Sequence, residues 1–325
     1  MRNILLMIVV LLQFFAPLVS GERIELGTNV NDINVIVEES TPVRTVVRFD
    51  IGAFNKDIIN INGENYNTIS CGKEGILLNK GEPALPRICR SVIIPDDAKV
   101  KINILSSKYI DFQNTPIIPS KGNLLRTVNP KDIPYTFGPV YNKSEWYPQE
   151  LAAAREPYIL RDYRGAVIEL NAFQYNPGEK TLRVYSSVTI EIINDGPGEI
   201  NVLNPRAHAD KLVPDFDILY KNRFINYNMA QKYISVMESG DMLIITHDAF
   251  HTTMDPFVAW KMQKGIKTTI IDVSAIGNNS SSIQSFIQSF YDSTNLAWVL
   301  LVGDHMEVAT PFASGGASDP SYAKV

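Results

Sequence analysis

The residues of this chain best suited to nucleophilic or acid–base chemistry are two cysteines and four histidines. A cysteine nucleophile needs a base such as histidine within hydrogen-bond reach, because the thiolate is the reactive form. Cys71 and Cys89 lie far from His208, the first histidine in the sequence, although residues distant in sequence can meet in a fold. The sequence therefore predicts that neither cysteine is a nucleophile.

Cys71 and Cys89 are also candidates for one disulfide, because the segment between them is short enough to close. A structural disulfide requires an oxidising compartment such as the exterior of the cell. Two separate small buried side chains are the alternative interpretation. The sequence does not distinguish between the two.

Asp304 is the strongest candidate for a site residue in this sequence. It follows an apolar run and Gly303, so it lies at the end of a predicted strand, where sites form in open α/β sheets. There it can cap the next element or ligate a cation, and both interpretations stay open. Glu307 and Asp319 are acidic neighbours in sequence, but a cation that prefers oxygen needs several more ligands.

The four histidines have weaker claims to a site. His247 and His251 flank the turn after the first predicted strand of the same sheet, and His305 follows Asp304. We interpret His247 and His251 as polar loop residues near a helix start, because no partner for them is evident in the sequence. His208 is expected to be exposed.

The elements that must position Asp304 form a strand–helix–strand–helix–strand series. Its three strands are the runs MLIIT from Met242, KTTIIDV from Lys267 and AWVLLVGD from Ala297. Alternating elements with short connections predict parallel crossovers and therefore an α/β domain.

Capping residues and apolar spacing predict the two intervening helices. Asp255 is the expected N-cap of the first helix, with Pro256 at its first position and Gly265 at its end. The side chains expected on its buried side are those of Phe257, Val258 and Met262. The second helix has a regular apolar stripe formed by Ile283, Phe286, Ile287 and Phe290.

Residues 43 to about 193 alternate apolar and polar side chains, which is the period of half-exposed strands. The clearest runs are Val47, Phe49 and Ile51, then Val100, Ile102 and Ile104, then Val188, Ile190 and Ile192. Many short strands separated by turn residues predict an antiparallel sandwich or barrel. Residues 116–135 are rich in proline and lack a period, so we predict a long surface loop.

The first 21 residues have the pattern of a secretory signal peptide. Arg2 supplies a positive start, an apolar run extends from Ile4 to Phe15, and small residues precede Glu22. The run is shorter than the roughly 20 residues that a spanning helix needs, and no second long apolar run follows. The sequence predicts an exported protein, secreted or at the cell surface, without a membrane span.

The 325 residues therefore divide into four predicted segments. These are a signal peptide at 1–21, a β-rich domain at 22–205, a connector at 206–240 with an amphipathic helix, and an α/β domain at 241–325. The net charge is only −5, and both signs are spread along the chain. This charge pattern excludes a basic surface for nucleic acid.

Several stretches carry a resemblance to a known family. The C-terminal part contains PFVAWKMQKGIKTTIIDV, AWVLLVGDH and SDPSYAKV, and the β-rich part contains GEPALPRICRSVIIPDDAKV and RDYRGAVIELNAFQYNPGEKTLRVYSSVTIEI. The former resemble the start of the catalytic domain of gingipain-like cysteine peptidases, family C25. The latter resemble the β-rich propeptide of the same family. Two domains in the family's order make the resemblance specific.

This resemblance implies the precursor of a secreted, caspase-like cysteine endopeptidase that acts on proteins or peptides. The antiparallel β-sandwich-like domain is then a propeptide, which contacts the catalytic domain as an inhibitor and folding aid. The α/β domain is the truncated start of a three-layer catalytic domain. No cysteine follows Cys89 and no histidine follows His305, so the catalytic pair is expected beyond Val325 and this chain is expected to be inactive.

The resemblance also implies roles for individual residues. Asp304 matches an aspartate that helps to hold a structural calcium ion. On the proline-rich loop, Lys121 or Arg126 could inhibit by entering the specificity pocket, and solvated charges are the alternative. Candidate processing sites in and near the connector are Arg206, Lys211 and Arg223.

A function of a different class is also compatible with the residues taken singly. The chain could be an exported β-sandwich binding or adhesion module whose α/β partner is degenerate and has no catalytic activity. That hypothesis gives no reason for two peptidase-family domains in the family's order.

Overall fold

The structure is a computed structural model that describes residues 21–27, 31–204, 211–230, 232, 234–235 and 239–324. The predicted signal peptide, apart from Gly21, lies outside the described residues, as do His208 and Arg206. No helix within the described ranges is long and apolar enough to cross a membrane.

Strands dominate the chain up to residue 204, as the alternating pattern predicts. In chain order they are β1 (Glu22–Glu25), β2 (Ile33–Ser40), β3 (Arg44–Ile51), β4 (Ala53–Ile61), β5 (Glu64–Ser70), β6 (Gly75–Ile76), β7 (Pro86–Ile93), β8 (Ala98–Phe112), β9 (Ala152–Ala154), β10 (Tyr158–Leu160), β11 (Tyr163–Leu170), β12 (Phe173–Asn176) and β13 (Thr181–Pro197). Short 3-10 turns lie at Pro130–Asp132 and Pro139–Asn142.

These strands form antiparallel sheets that face each other as a sandwich. One sheet has the order β12-β13-β3-β2, with β8 also paired to β13, and another has the order β10-β11-β7-β6, with β9 paired to β11. A smaller sheet has the order β1-β4-β5. Both five-stranded sheets contribute to one apolar core, which includes Val47, Phe49, Val188 and Ile190 from the first and Ile88, Val92, Ile168 and Leu170 from the second. The predicted antiparallel sandwich is confirmed.

Two sequence predictions within this domain need correction. Ile104 is exposed, because β8 pairs only with β13 among the described strands and so lies at an edge. The segment 116–135 is not surface loop throughout. Ile117 and Ile118 are buried, and the backbone of Asn67 on β5 bonds the carbonyl of Pro116 and the amide of Ile118. The exposed part of the loop begins near Lys121.

The segment after residue 210 folds onto the sandwich. Its elements are β14 (Lys211–Leu212), α1 (Pro214–Arg223), α2 (Tyr227–Ala230) and β15 (Ile234–Ser235). The aromatic rings of Tyr220, Phe224 and Tyr227 pack with Ile93 and Tyr163 of the β domain in one buried cluster. The helix predicted in the connector is therefore present, and it is packed against the sandwich.

The C-terminal part is a parallel α/β unit. Its main elements are β16 (Asp241–Thr246), α3 (His251–Gln263), β17 (Thr268–Asp272), α4 (Val273–Ile276), α5 (Ser280–Ser293) and β18 (Leu296–Val302). Two short strands and a 3-10 turn follow, β19 (Phe312–Ala313), β20 (Gly316–Ala317) and Asp319–Ala323. The sheet order is β17-β16-β18 with parallel pairing, so the central strand β16 is buried on both faces as its apolar run predicts. Helix α5 packs Ile283, Ile287 and Tyr291 into the core.

Helix α3 differs from its prediction. It begins at His251, so Pro256 lies inside it and Asp255 is not its N-cap. A 3-10 turn at Asp248–Phe250 leads into it, and the Nδ1 atom of His247 accepts a hydrogen bond from Ala249. No residue of α3 is fully buried. Of the predicted buried side, Phe257 and Val258 are half-buried, whereas Met262 is exposed and its prediction is wrong. The predicted end is right, because Gly265 has a left-handed φ of +80° just after the helix.

Candidate functional site

The carboxyl edge of the parallel sheet brings together three of the candidate residues and their neighbours. Strand β16 leads into His247 and His251, β17 ends at Asp272, and β18 leads into Gly303 and Asp304. Open α/β sheets bind ligands at this edge, because the connecting loops diverge there. The side chains at these strand ends therefore determine which ligands or reactions this edge of the sheet could support.

His251 has a partner that the sequence did not reveal. Its Nδ1 atom lies 2.5 Å from Oδ1 of Asp272, the last residue of β17. The hydrogen bond that Asp272 accepts from His251 raises the pKa of His251, and the charges of Asp255 and Asp248 act in the same direction. Both paired side chains are about one-third exposed. The pair ties the start of α3 to the end of β17, and neither side chain contacts a cysteine among the described residues.

Asp304 lies in a turn in which its polar atoms bond to the next few residues. Its Oδ1 atom accepts hydrogen bonds from the amide and from Nδ1 of His305, and its own amide donates to Oε2 of Glu307. Its carbonyl accepts from the amides of Glu307 and Val308. These bonds from His305 lower the pKa of Asp304. Gly303 precedes it with a φ of +144°, a conformation that favours glycine.

The described residues offer few acidic side chains beside Asp304 for a calcium ion. Calcium takes six to eight oxygen ligands, and no group of three or more histidine, cysteine or acidic residues is placed to hold a metal in the described ranges. Asp319 instead accepts a hydrogen bond from the hydroxyl of Thr310 at 2.7 Å. The predicted calcium role of Asp304 stays a prediction that depends on ligands from outside the described residues.

Both cysteines are free thiols in the structure, so the candidate disulfide is not formed and the alternative of two separate thiols holds there. Cys71 is 1% exposed in the sandwich core and its Sγ atom donates to the carbonyl of Ala53. Cys89 follows the core residue Ile88 on β7, so strand alternation places it on the outer face, where its Sγ lies 4.0 Å from Glu169. Burial raises the pKa of Cys71 to about 12 and also raises that of Cys89. Neither environment favours a thiolate nucleophile.

The two basic candidates on the proline-rich loop have different environments. Nζ of Lys121 donates to the carbonyl of Pro130 at 2.7 Å and lies 4.1 Å from the ring centroid of Tyr135. Arg126 is exposed next to Leu125, whose exposure is 74%. Lys121 thus holds the loop together, whereas Arg126 projects from it.

The processing candidates can be compared only in part. Arg223 lies in the last turn of α1, and its Nε atom donates to the hydroxyl of Tyr158 at 3.0 Å. Exposed loop tips are cut more readily than helices, so this position is poorly suited to cleavage. Arg206 and the side chain of Lys211 lie outside the described residues.

Among the described residues, one contact between the β domain and the α/β domain centres on Arg161, which sequence reasoning missed. Its Nη1 atom donates to the carbonyl of Leu296 at 2.6 Å. Its guanidinium lies over the rings of Phe216 and Tyr291, with centroids at 4.4 and 5.6 Å. Phe216 in turn stacks on Trp298. No sequence signal marks this contact beyond an arginine in a short turn between two strands.

Comparisons with known proteins agree with this architecture. The propeptide description of family C25 matches residues 25–235, and the description of peptidase family C25 itself matches residues 236–325. The chain belongs to peptidase family C25. The boundary between the two matched C25 regions falls inside the predicted connector, and their order is the one that the resemblance implies.

Curated C25 relatives include gingipain R1 of Porphyromonas gingivalis, which is 35% identical over 259 residues, 78% of this chain and 26% of the relative. Lys-gingipain of the same organism is 23% identical over 240 residues, 69% of this chain and 14% of the relative. This C25 chain therefore spans about a quarter of the length of gingipain R1.

A solved structure also matches this C25 chain. A chain from the complex of the pro- and mature domains of Porphyromonas gingivalis RgpB has 29% identity and a TM-score of 0.56. The match covers 63% of this chain and all of that chain. The contact between the β domain and the α/β domain is thus a propeptide–peptidase contact within one chain.

Proposed function

We propose that this C25 chain is the N-terminal part of the precursor of a secreted cysteine-type endopeptidase that cleaves proteins or peptides. In this proposal the β-sandwich with its connector assists folding of the peptidase and holds it inactive. The observation that carries the proposal is the order of the two family matches on one chain, with the propeptide directly before the peptidase region. A simple binding module gives no reason for that order.

The catalytic cysteine and histidine are supplied, in this proposal, by residues outside the 325-residue sequence. Two facts support this assignment. Burial raises the pKa of both Cys71 and Cys89, so neither is poised as a thiolate. The matched region makes up only 26% of gingipain R1. The 325 residues alone are therefore expected to have no peptidase activity.

Arg126 is the better of the two candidates for an inhibitory side chain. Inhibition by occupation of a specificity pocket requires a side chain that is free to leave its own domain. Arg126 is exposed on the loop, whereas the amine of Lys121 is already bonded to the carbonyl of Pro130. An exposed guanidinium can form paired hydrogen bonds with a carboxylate at the base of a pocket.

The precursor that contains this chain offers a direct test. Arg126→Ala should raise the activity of the uncleaved precursor on casein by about tenfold or more, because loss of a dominant contact side chain costs 2 kcal/mol or more. Lys121→Ala is the matched control and should change that activity much less. Equal activity in the Arg126→Ala and parent precursors would show that this side chain does not inhibit.

Processing in the connector is assigned to Arg206 or Lys211 in preference to Arg223. The support for this preference is the helical conformation and the side-chain bond of Arg223. A peptidase binds its substrate as an extended segment, so cleavage at Arg223 would first require the last turn of α1 to unwind.

A further inference from the structure

Arg161 connects three segments of the chain: its own turn between β10 and β11, strand β18 and helix α1. Arg161 lies in the two-residue turn between β10 and β11 and has a left-handed φ of +50°. Such a conformation is uncommon for a residue with a side chain, and it persists only where surrounding contacts hold it. The side chain of Arg161 is only 10% exposed, so these contacts are largely shielded from water.

The first segment that Arg161 binds is the peptidase region. The carbonyl of Leu296 accepts its Nη1–H at 2.6 Å, and Leu296 is the buried first residue of β18. A hydrogen bond from a charged donor is stronger than a neutral one, and exclusion of water strengthens it further. This contact lies at the amino edge of the parallel sheet, opposite the edge where Asp272 and Asp304 lie.

The second segment is helix α1 of the connector. The ring of Phe216 lies under the guanidinium at 4.4 Å and also stacks on Trp298 of β18, with centroids 6.2 Å apart. A cation over an aromatic face is attracted by the ring quadrupole. Phe216 thus contacts an arginine of the propeptide sandwich and an aromatic ring of the peptidase region at the same time.

Asp162 links this arrangement to α1 a second time. Nε of Arg161 lies 3.5 Å from Oδ2 of Asp162, and the same carboxylate oxygen accepts the hydroxyl of Tyr220 at 2.8 Å. Helix α1 therefore holds both members of the Arg161–Asp162 pair, one through Phe216 and the other through Tyr220. Displacement of α1 would remove the aromatic support of Arg161 and a hydrogen bond of its counter-ion.

We propose that Arg161 is the principal anchor of the propeptide on the peptidase domain and that its hold depends on helix α1. The proposal rests on the proposed function of the sandwich as a propeptide. A cut in the connector, at Arg206 or Lys211 before α1 or between α1 and β16, breaks none of the contacts of Arg161 described above. Release of the propeptide therefore requires Arg161 to leave Leu296 and Phe216, and cleavage of the connector alone does not suffice.

Hydrogen–deuterium exchange of the precursor that contains this chain tests this anchor. Arg161→Gln should accelerate exchange of the amides at the start of β18 and the end of α5 by about tenfold or more, since local opening governs their protection. The amides of β3 in the sandwich should keep their protection. The matched control is Arg155→Gln, which removes an arginine bonded to Glu169 within the β domain and should alter neither region.

Arg161→Gln could unfold the turn itself, in which case the amides of β3 would also lose their protection against exchange. A second variant tests the anchor in that case. Phe216→Ala leaves Arg161 in place and should produce the same acceleration at β18, because the anchor depends on α1. Unchanged exchange at β18 in Phe216→Ala, or in a well-folded Arg161→Gln, would overturn the proposal. Exchange reports the domain contact without reference to catalysis, so an inactive peptidase would count against the proposed function alone.

Discussion

Arg164 carries a positive charge into the sandwich, where it is among the largest fully buried side chains. Its guanidinium donates to the carbonyls of Pro95, Ala98, Ile200 and Asn201 at 2.6 to 2.9 Å. Burial lowers its pKa. One side chain of β11 therefore satisfies several carbonyls from two other segments, and those acceptors would lose their partner without it.

Arg164→Met should lower the free energy of unfolding of the β domain by about 3 kcal/mol or more, because buried carbonyls left without partners cost 1–3 kcal/mol each. Chemical denaturation monitored by circular dichroism measures this loss. Arg155→Met, at an exposed ion pair, should cost about 1 kcal/mol or less. Similar losses in the two variants would contradict the role assigned to Arg164.

The two cysteines should be free thiols that react slowly with thiol-specific reagents in the native chain. Cys71 should resist a thiol-specific reagent at neutral pH in the native chain, because burial raises its pKa to about 12, and half-buried Cys89 should react faster. Both should react fully in denaturant without prior reduction, as peptide mass spectrometry can establish. If the denatured chain reacts only after reduction, Cys71 and Cys89 are bonded to each other in solution.

Helix α3 shows at the scale of an element how a weakly packed helix is held. None of its residues is buried, so its packing contributes little, and the His251–Asp272 pair ties its start to β17. A group whose pKa is raised by folding stabilises fully below its unfolded pKa, and that contribution is lost as pH rises through the folded value. The tie should therefore be strongest below about pH 6.5 and weaken as the pH rises further.

Asp272→Asn should lower the pKa of His251 toward that of a free histidine, because the hydrogen bond to the Asp272 carboxylate is the main cause of its elevation. Nuclear magnetic resonance of the imidazole protons during a pH titration measures this change. Asp292→Asn is the control on the neighbouring helix α5 and should leave the pKa unchanged. An unaltered pKa in the Asp272→Asn variant would mean that the pair does not form in solution.

Sequence patterns predicted the elements better than their ends. The run MLIIT predicts a buried strand, because four consecutive apolar side chains need cover on both faces. Asp255-Pro256 has the composition of a helix start, so the sequence predicts a later start of α3 than the structure shows. The true start at His251 depends on a preceding turn and on Asp272, a contact between residues distant in sequence.

At the scale of the whole molecule, the order of domains was predictable and their contact was not. In the sandwich region, apolar and polar side chains alternate with a period of two. In the α/β region, strand patterns are followed by helix patterns, so the sequence itself separates the two domains. The bond between Arg161 and Leu296 joins positions 135 residues apart, and no local pattern encodes it. The packing of α1 against the sandwich likewise depends on a contact between residues distant in sequence, Tyr220 of α1 and Tyr163 of β11.

Arg161 and Arg126 lie in different parts of the β domain and are proposed to have different roles in the precursor. The sandwich and α1 form one packed body that holds the amino edge of the peptidase sheet through Arg161. The exposed loop with Arg126 extends from the same body. With the roles proposed above, one body combines an anchor at the amino edge with a separate inhibitory loop, and mutation should disturb the two functions independently.

The central claim, that the β-sandwich keeps a cysteine endopeptidase inactive, is tested most directly by one activity measurement. The precursor that contains this chain is assayed on casein under reducing conditions before and after the connector is cleaved and the propeptide is removed. Activity should rise by about tenfold or more and should be abolished by a thiol-alkylating reagent, as expected of a cysteine nucleophile. Equal activity before and after removal, or activity that resists alkylation, would contradict the account.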